Sequence, residues 1–354
     1  MRIIELSGAP REMGIRHGQL LAMEIRQLRR ALLTYLARLS LYAGALPLYW
    51  LCQSLARLFR PYIPPRLHEE MLGVAAGAGV GLGTILLINV IDDLGNNSPR
   101  CSAIAAGGPY NPRGRYLMGR NLDYPLFIEV MTALQTLFRY EPHGGLPLTS
   151  LAWPGYVGVC TGMNRAGVSL AQLSAMSRDR TIKGVPAALR FRQALEAGET
   201  LDEAASLVLA APGTIGNNLM LCSPGDAVVL ELAARHRAVR RPEGGLLTAT
   251  NHYQSPAMAP LKGRFPPRPP LSPVSADHFT EAYSQARDRR LRQLAASGKL
   301  GPLEIQKILA DPQIANPGTV VSTVFDPARK TMWVAMGQEP PVNQGQFMEI
   351  KLWI

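Results

Sequence analysis

At residue 100 the chain changes character, and that change constrains its fold more than any other feature. Before it, apolar residues recur at helical spacing; after it, short β-prone runs alternate with turns. Upstream, Glu24 to Leu39 carries one apolar helical face, and Pro64-Pro65-Arg66 opens a second helix that ends in the glycine-rich run from Gly77 to Gly83. Downstream, Tyr116 to Gly119, Val157 to Met163, Val168 to Leu173, Ala227 to Leu232, Leu246 to Thr250, Val320 to Phe325 and Met332 to Met336 read as strands. Asp326 to Lys330 closes a hairpin between the last two. Helices interrupt them twice. Thr200-Leu201-Asp202-Glu203 is a capping box that starts a helix running to about Leu209, and Ala286 to Ser297 reads as a basic helix stopped by Gly298. Strands with helices inserted in blocks predict an α+β layered domain rather than a wound βαβ sheet. No repeat period and no Gly/Ser linker divides the chain, so a single domain over residues 1–354 is expected, with the proline-rich stretch Pro256 to Pro273 as an irregular surface loop.

Composition removes several function classes. A chain of 354 residues that is 47% hydrophobic and 18% charged is an ordinary globular protein with enough apolar mass for a large core. The net charge of +11 rests on thirty-one Arg and six Lys that are scattered, so no nucleic-acid face is expected. Cys52, Cys101, Cys160 and Cys222 form no CxxC pair and have no His at zinc-ligand spacing, which argues against a metal knuckle or a disulfide framework. The run Gly77-Ala78-Gly79-Val80-Gly81-Leu82-Gly83 gives GxGxxG in no register, so no dinucleotide cofactor is expected. Met1-Arg2-Ile3-Ile4-Glu5 lacks the pattern of a signal peptide, and a cytoplasmic location is expected.

The stretch from Leu39 to Ala56 carries no charge and is edged by Arg38, Arg57 and Arg60. A membrane span needs about 20 apolar residues, and Pro47 falls in the middle of this one. Two short apolar helices around Pro47 are expected. They serve either as core packing or as an interfacial, acyl-binding surface; the second use brings peripheral contact with a membrane.

The familiar catalytic signatures are missing: no GxSxG, no HExxH, no Walker loop. What remains is Asn96-Asn97-Ser98-Pro99-Arg100-Cys101-Ser102-Ala103-Ile104-Ala105-Ala106, followed by Gly119-Arg120-Asn121-Leu122-Asp123-Tyr124. A turn-forming run ends at a cysteine that opens a small-residue β segment, and an Arg-x-x-Asp pair closes the next strand. If the chain were cut before Cys101, the new α-amino group would have a reference pKa of about 7.7 to 8.0 and could take the thiol proton itself. No histidine is then needed. From these residues alone, a buried structural cysteine beside a surface ion pair stays open as the bland alternative.

The two strings resemble the Cys-(Thr/Ser)-x-(Ile/Val) and Gly-Arg-(Asn/Thr)-x-Asp-(Tyr/Phe/Trp) pattern of cysteine N-terminal-nucleophile (Ntn) enzymes, most nearly the isopenicillin N acyltransferase-like autoproteolytic family. Acid ceramidase-type amidases and choloylglycine hydrolases are more distant relatives. Gly14-Ile15-Arg16-His17-Gly18 and Glu70-Met71-Leu72-Gly73-Val74-Ala75-Ala76-Gly77 are similar to the family's upstream segments; Gly162-Met163-Asn164-Arg165-Ala166-Gly167 and Thr250-Asn251-His252-Tyr253 are similar to its downstream ones. The resemblance implies a four-layer αββα Ntn-hydrolase sandwich with a helical N-terminal segment. It also implies self-cleavage into chains 1–100 and 101–354 that stay associated.

For the site, the resemblance implies Cys101 as nucleophile, Asp123 on the terminal amine, Arg120 as its charged partner and Asn251 as an oxyanion donor. Arg287 fills the family's later Arg position, with Arg290 as the alternative, and Ser174 matches weakly as a second oxyanion donor through its backbone. Asn164 and Gly167 are expected as turn formers, His252 as a local hydrogen-bonding residue. The implied substrate is a small N-acyl amide, with no metal or nucleotide required, and Leu41, Leu48, Trp50 and Leu51 would line a channel for a long acyl chain. Hydrolysis, acyl transfer to an amine, and a catalytically silent binding protein on the same fold remain open.

Overall fold

A computed structural model describes residues 1–39, 44–95, 100–111, 113–296 and 298–353. The chain begins with strand β1 (Arg2–Gly8), followed by helices α1 (Pro10–Leu20), α2 (Ala22–Leu39), α3 (Ala45–Arg57), α4 (Pro65–Ala78) and α5 (Leu82–Gly95). Then come β2 (Ser102–Gly108), β3 (Gly114–Asp123), α6 (Ile128–Ala133), β4 (Thr136–Pro142), β5 (Leu148–Ala152), β6 (Thr161–Asn164) and β7 (Ser169–Ser174). Two helices, α7 (Ala187–Ala197) and α8 (Leu201–Ala210), precede β8 (Asn217–Cys222), β9 (Ala227–Leu232), β10 (Arg237–Arg240) and β11 (Leu246–Ala249). Helices α9 (Glu281–Ala295) and α10 (Pro302–Leu309) lead to β12 (Thr319–Asp326), β13 (Thr331–Met336) and β14 (Met348–Lys351).

The strands form two sheets, one of eight in the order β1-β4-β5-β6-β7-β8-β9-β10 and one of six in the order β11-β2-β3-β12-β13-β14. Helices cover the outer face of each. On the larger sheet, α7 accepts hydrogen bonds at Leu195 O from Asn164 and at Ala188 O from the backbone of Val159. On the smaller sheet, Asn121 donates to Leu309 O of α10 and Thr248 donates to Asp288 of α9. Arg120 of β3 crosses from the smaller sheet to the larger, donating to the carbonyl oxygens of Cys160 and Gln172. The result is the αββα sandwich that the resemblance implied, and residues 102–107 of β2 are mostly small because they are buried between neighbours and layers on both faces.

Glycine explains one close contact. Helices α1 and α4 pack through Gly14 and Gly18 against Gly73 and Gly77. A Cβ on Gly14 would stand 2.0 Å from the Glu70 carbonyl oxygen, and one on Gly18 would stand 2.3 Å from that of Val74. The upstream motifs are therefore a helix-to-helix seam, and the seam holds His17, whose Nε2 accepts from the Gly155 N–H at 2.8 Å.

Several expectations need correction. Pro47 does not separate two helices: α3 starts at Ala45 after Gly44, so Pro47 falls in the first turn, where its missing N–H has no intrahelical partner to lose. Ser40 and Leu41 lie outside the described residues, as does the turn-forming run Asn96 to Pro99. Residues 2–8 are not helical but form the edge strand β1, paired parallel to β4 with Ile3 opposite Leu137 and Leu6 opposite Tyr140. The strand expected over Val157 to Met163 is shortened to β6, because Trp153-Pro154-Gly155 turns the chain with Gly155 at φ +84°. Helix α9 begins at Glu281, earlier than expected, because the Thr280 side chain caps the Tyr283 N–H at 3.1 Å.

Candidate active site

Cys101 sits immediately before β2, and the β2–β3 register, Ser102 opposite Asn121 and Ala103 opposite Arg120, brings it beside the end of β3. Fully buried Arg120 donates from Nη2 to Cys101 Sγ at 3.2 Å. The same guanidinium is fixed by Cys160 O at 3.1 Å, Gln172 O at 3.0 Å and the Thr161 hydroxyl. A cation held by three oxygen acceptors from the larger-sheet side is a rigid donor to the sulfur. Burial pushes the Cys101 thiol up and Arg120 pulls it back down.

Asp123 ends β3. Its carboxylate accepts from Thr319 Oγ1 and Asn316 Nδ2, both at 2.7 Å, and stands 3.7 Å from Arg287 Nη1. Burial raises this carboxyl to about 6, against the downward pulls of Arg287, Thr319 and Asn316. The Asp123 carbonyl accepts from the Arg100 N–H at 3.0 Å, so the peptide carrying Cys101 is clamped along the end of β3.

Arg287, from α9, joins these pieces. Its Nη1 donates to the Arg100 carbonyl oxygen and, at 2.8 Å, to that of Cys101; its Nη2 donates to Asn251 Oδ1 at 2.8 Å. The guanidinium lies 4.6 Å over the Tyr283 ring. Arg290 points elsewhere, onto Asp311 at 2.6 Å. Asn251 Nδ2 donates to Ser174 O at 2.8 Å, so the observed part of Ser174 is a carbonyl acceptor at the end of β7.

The remaining sequence candidates take local roles. His252 Nδ1 lies 2.9 Å from Ser284 Oγ and 3.1 Å from Thr250 Oγ1, and burial lowers its pKa. Asn164 donates to Leu195 O and Gly198 O and accepts from the Val168 N–H, while Gly167 takes φ +92° in the same turn.

The Arg100 side chain is buried with its guanidinium 4.1 Å over the Phe279 ring, and among the described residues none of its three nitrogens has a hydrogen-bond partner. Burial drops its pKa to about 9. An ionic group so placed costs folding free energy.

An apolar cleft of about 100 Å³ opens beside the residues that anchor Arg120, walled by Leu28, Leu32, Tyr49, Ile88, Leu122 and Trp153. Leu122 follows Asn121, the strand partner of Ser102, and Cys160 and Gln172, whose carbonyls hold Arg120, also border the space. Two ionisable groups of opposite charge, Arg29 and Asp92, lie in its wall. Tyr124 donates to Asp92 at 3.3 Å, and burial with the neighbouring Asp93 raises Asp92 to about 7. Trp50 and Leu51 do not line this space: they are exposed, on the side of α3 opposite Tyr49, because successive helical residues turn by about 100°. Leu48 is half-buried against the core, and Leu41 is outside the described residues.

Sequence reasoning missed Thr319 and Asn316, which lie 196 and 193 positions from Asp123. The string Asn316-Pro317-Gly318-Thr319 was their only local signal, and it reads as a turn. Thr161, Gln172 and Tyr283 were missed likewise. Among the described residues, no cluster of three or more His, Cys, Asp or Glu is placed to hold a metal ion.

Residues 110–340 match the family model for acyl-coenzyme A:6-aminopenicillanic acid acyl-transferase. The chain is similar to protein dcd1A of Dictyostelium discoideum, at 23% identity over 99% of this chain and 85% of that one. It is similar also to N-acylethanolamine-hydrolyzing acid amidase of Caenorhabditis elegans, at 22% identity over 81% of each chain. The solved structure of a Caenorhabditis elegans N-acylethanolamine-hydrolyzing acid amidase ortholog superposes with a TM-score of 0.48 at 17% identity, covering 71% of this chain and 100% of that one.

Proposed function

The chain belongs to the acyl-coenzyme A:6-aminopenicillanic acid acyl-transferase family, and on that premise we propose that it cuts itself before Cys101 and then works as a cysteine amidase. The observation that carries this reading is the placement of Arg287 Nη1 on the Arg100 carbonyl oxygen, with Cys101 Sγ held by Arg120. A donor on that oxygen stabilises the oxyanion that forms when sulfur attacks the carbonyl carbon. In that step the C–S bond forms, the C–N bond breaks and the thiol proton passes to the nitrogen, leaving a thioester and a free amine. Water then opens the thioester, giving an Arg100 carboxylate and a Cys101 thiol. Freed at a chain end, Arg100 can leave its unpaired burial, which favours the forward direction.

In turnover, the new α-amine takes the thiol proton and Asp123, fixed by Thr319 and Asn316, orients it. The thiolate attacks the amide carbonyl of the substrate and Asn251, whose Nδ2 also donates to Ser174 O, donates to the oxyanion. The amine leaves with the proton, and water resolves the acyl-enzyme. The apolar cleft supports an N-acyl amide with a hydrocarbon acyl group, and the similarity to an N-acylethanolamine-hydrolyzing acid amidase supports hydrolysis. The family's own description favours transfer to an amine acceptor as the second reading.

The test is mass analysis of the cut protein during incubation with N-acyl amides. An acyl adduct on the 101–354 chain, absent from Cys101→Ala, is expected. Turnover by the Cys101→Ala protein would overturn the reading.

A further inference from the structure

We propose that the outer face of α3 docks on an anionic lipid bilayer. Five large apolar side chains of this helix and its C-terminal cap face outward: Leu46, Trp50, Leu51, Leu55 and Leu58, at 51%, 62%, 55%, 41% and 49% exposure. Single exposed apolar residues are ordinary, but four on a thirteen-residue helix, with a fifth at its cap, form an apolar face that water does not favour.

The charge around this face selects the partner. Between Glu24 and Glu69 the chain carries seven arginines and no acidic residue. Arg29, Arg30, Arg38, Arg57 and Arg60 are all exposed. Apolar side chains on one face, a tryptophan among them and arginines alongside, are the chemistry of a helix lying in the headgroup region: the leucines enter the acyl boundary, the indole sits at the interface and the guanidinium groups reach lipid phosphates. A second copy of the chain fits poorly, because a two-fold contact would bring the same arginines together with no acid in the segment to pair them. Spanning is excluded by length. At 1.5 Å per residue α3 is about 20 Å long, against about 30 Å of hydrocarbon, and among the described residues no helix is long and apolar enough to cross.

The docking face and the cleft share a wall. Tyr49 of α3 lines the cleft from the opposite side of the helix, with Leu28 and Leu32 of α2 beside it. Docking would therefore hold the cleft next to the bilayer. Binding does not depend on the chemistry at Cys101; only the benefit to long-chain substrates rests on the function proposed above.

Sedimentation of the full chain with phosphatidylcholine vesicles, with and without phosphatidylglycerol, tests the proposal. Wild type and Cys101→Ala should both pellet with the phosphatidylglycerol vesicles, and the Trp50 emission should shift to the blue. The double variant Leu51→Glu, Leu55→Glu should bind at least tenfold more weakly. It should keep normal kcat/KM on a short-chain, water-soluble N-acyl amide, since neither residue lines the cleft; that activity also reports folding. Wild type that stays in the supernatant with both vesicles overturns the proposal. So does a wild-type dimer in sedimentation velocity that the double variant splits, which would assign the face to a second copy. A substrate panel with no turnover, alongside intact vesicle binding, would count against the amidase reading and leave the docking standing.

Discussion

Asp123 illustrates how much of the site lies in single side chains. Its carboxylate is held by Thr319, Asn316 and Arg287, and burial raises it to about 6. Asp123→Asn keeps the shape and removes the charge that, in the proposed mechanism, orients the amine. Loss of a preorganised polar contact at a reacting centre costs about 2.7 to 4 kcal/mol, so kcat/KM on an N-acyl amide should fall by about a hundredfold or more in correctly cut protein. The same carboxyl has a consequence for stability. Its folded pKa lies above the roughly 3.9 of an unfolded Asp, so the folded state holds the proton more tightly. The stability this contributes is full below about pH 4 and is lost as pH rises through about 6. Thermal melts of Cys101→Ala, compared with Cys101→Ala, Asp123→Asn between about pH 4 and about pH 8, should show the Asp protein losing ground to the Asn protein as pH rises. A gap that does not change with pH would contradict this placement of Asp123. At this scale the sequence was informative where residues sit in local strings: Cys101, Arg120, Asp123, Asn251 and Arg287 were all named from it, and the structure brings their side chains together. It was silent on Thr319 and Asn316, because a strand partner almost two hundred positions away leaves no local trace.

Elements were legible where one physical signal dominated. The capping box Thr200 to Glu203 starts α8, and Gly79 in the left-handed conformation ends α4. Strands such as β4 and β8 were missed because Arg139 and Glu141 in one, and the paired Asn217 and Asn218 in the other, dilute the β-prone pattern. Pro47 misled because its effect depends on its position in a helix, and only the start of α3 supplies that position. The α1–α4 seam gives an element-scale prediction. Gly14→Ala would place a methyl group against the Glu70 carbonyl and push the helices apart, so the chain should lose about 1 to 3 kcal/mol in denaturant unfolding while Leu20→Ala, on the exposed side of α1, changes little.

At the scale of the whole molecule, the two sheets meet where Arg120 crosses between them, and the helices before residue 100 supply one wall of the cleft beside it. That geometry predicts a dependence on substrate length. Each CH₂ buried against Leu28, Leu32 and Tyr49 contributes up to about 0.8 kcal/mol, so kcat/KM should rise steeply with acyl length until the cleft is full. Leu32→Glu should flatten that rise while leaving acetyl amides almost unaffected. A series from acetyl to palmitoyl that is flat in wild type would count against the apolar acyl group and leave Cys101 untouched. The central claim is the cut itself. Arg287 donates to both the Arg100 and Cys101 carbonyl oxygens, and the thiol lies against Arg120. Intact mass measured over time on freshly purified protein addresses it directly. Wild type should convert to two chains, residues 1–100 and 101–354, gaining activity as it does, and Cys101→Ala should stay whole. Full activity in a chain that remains uncut would contradict the account.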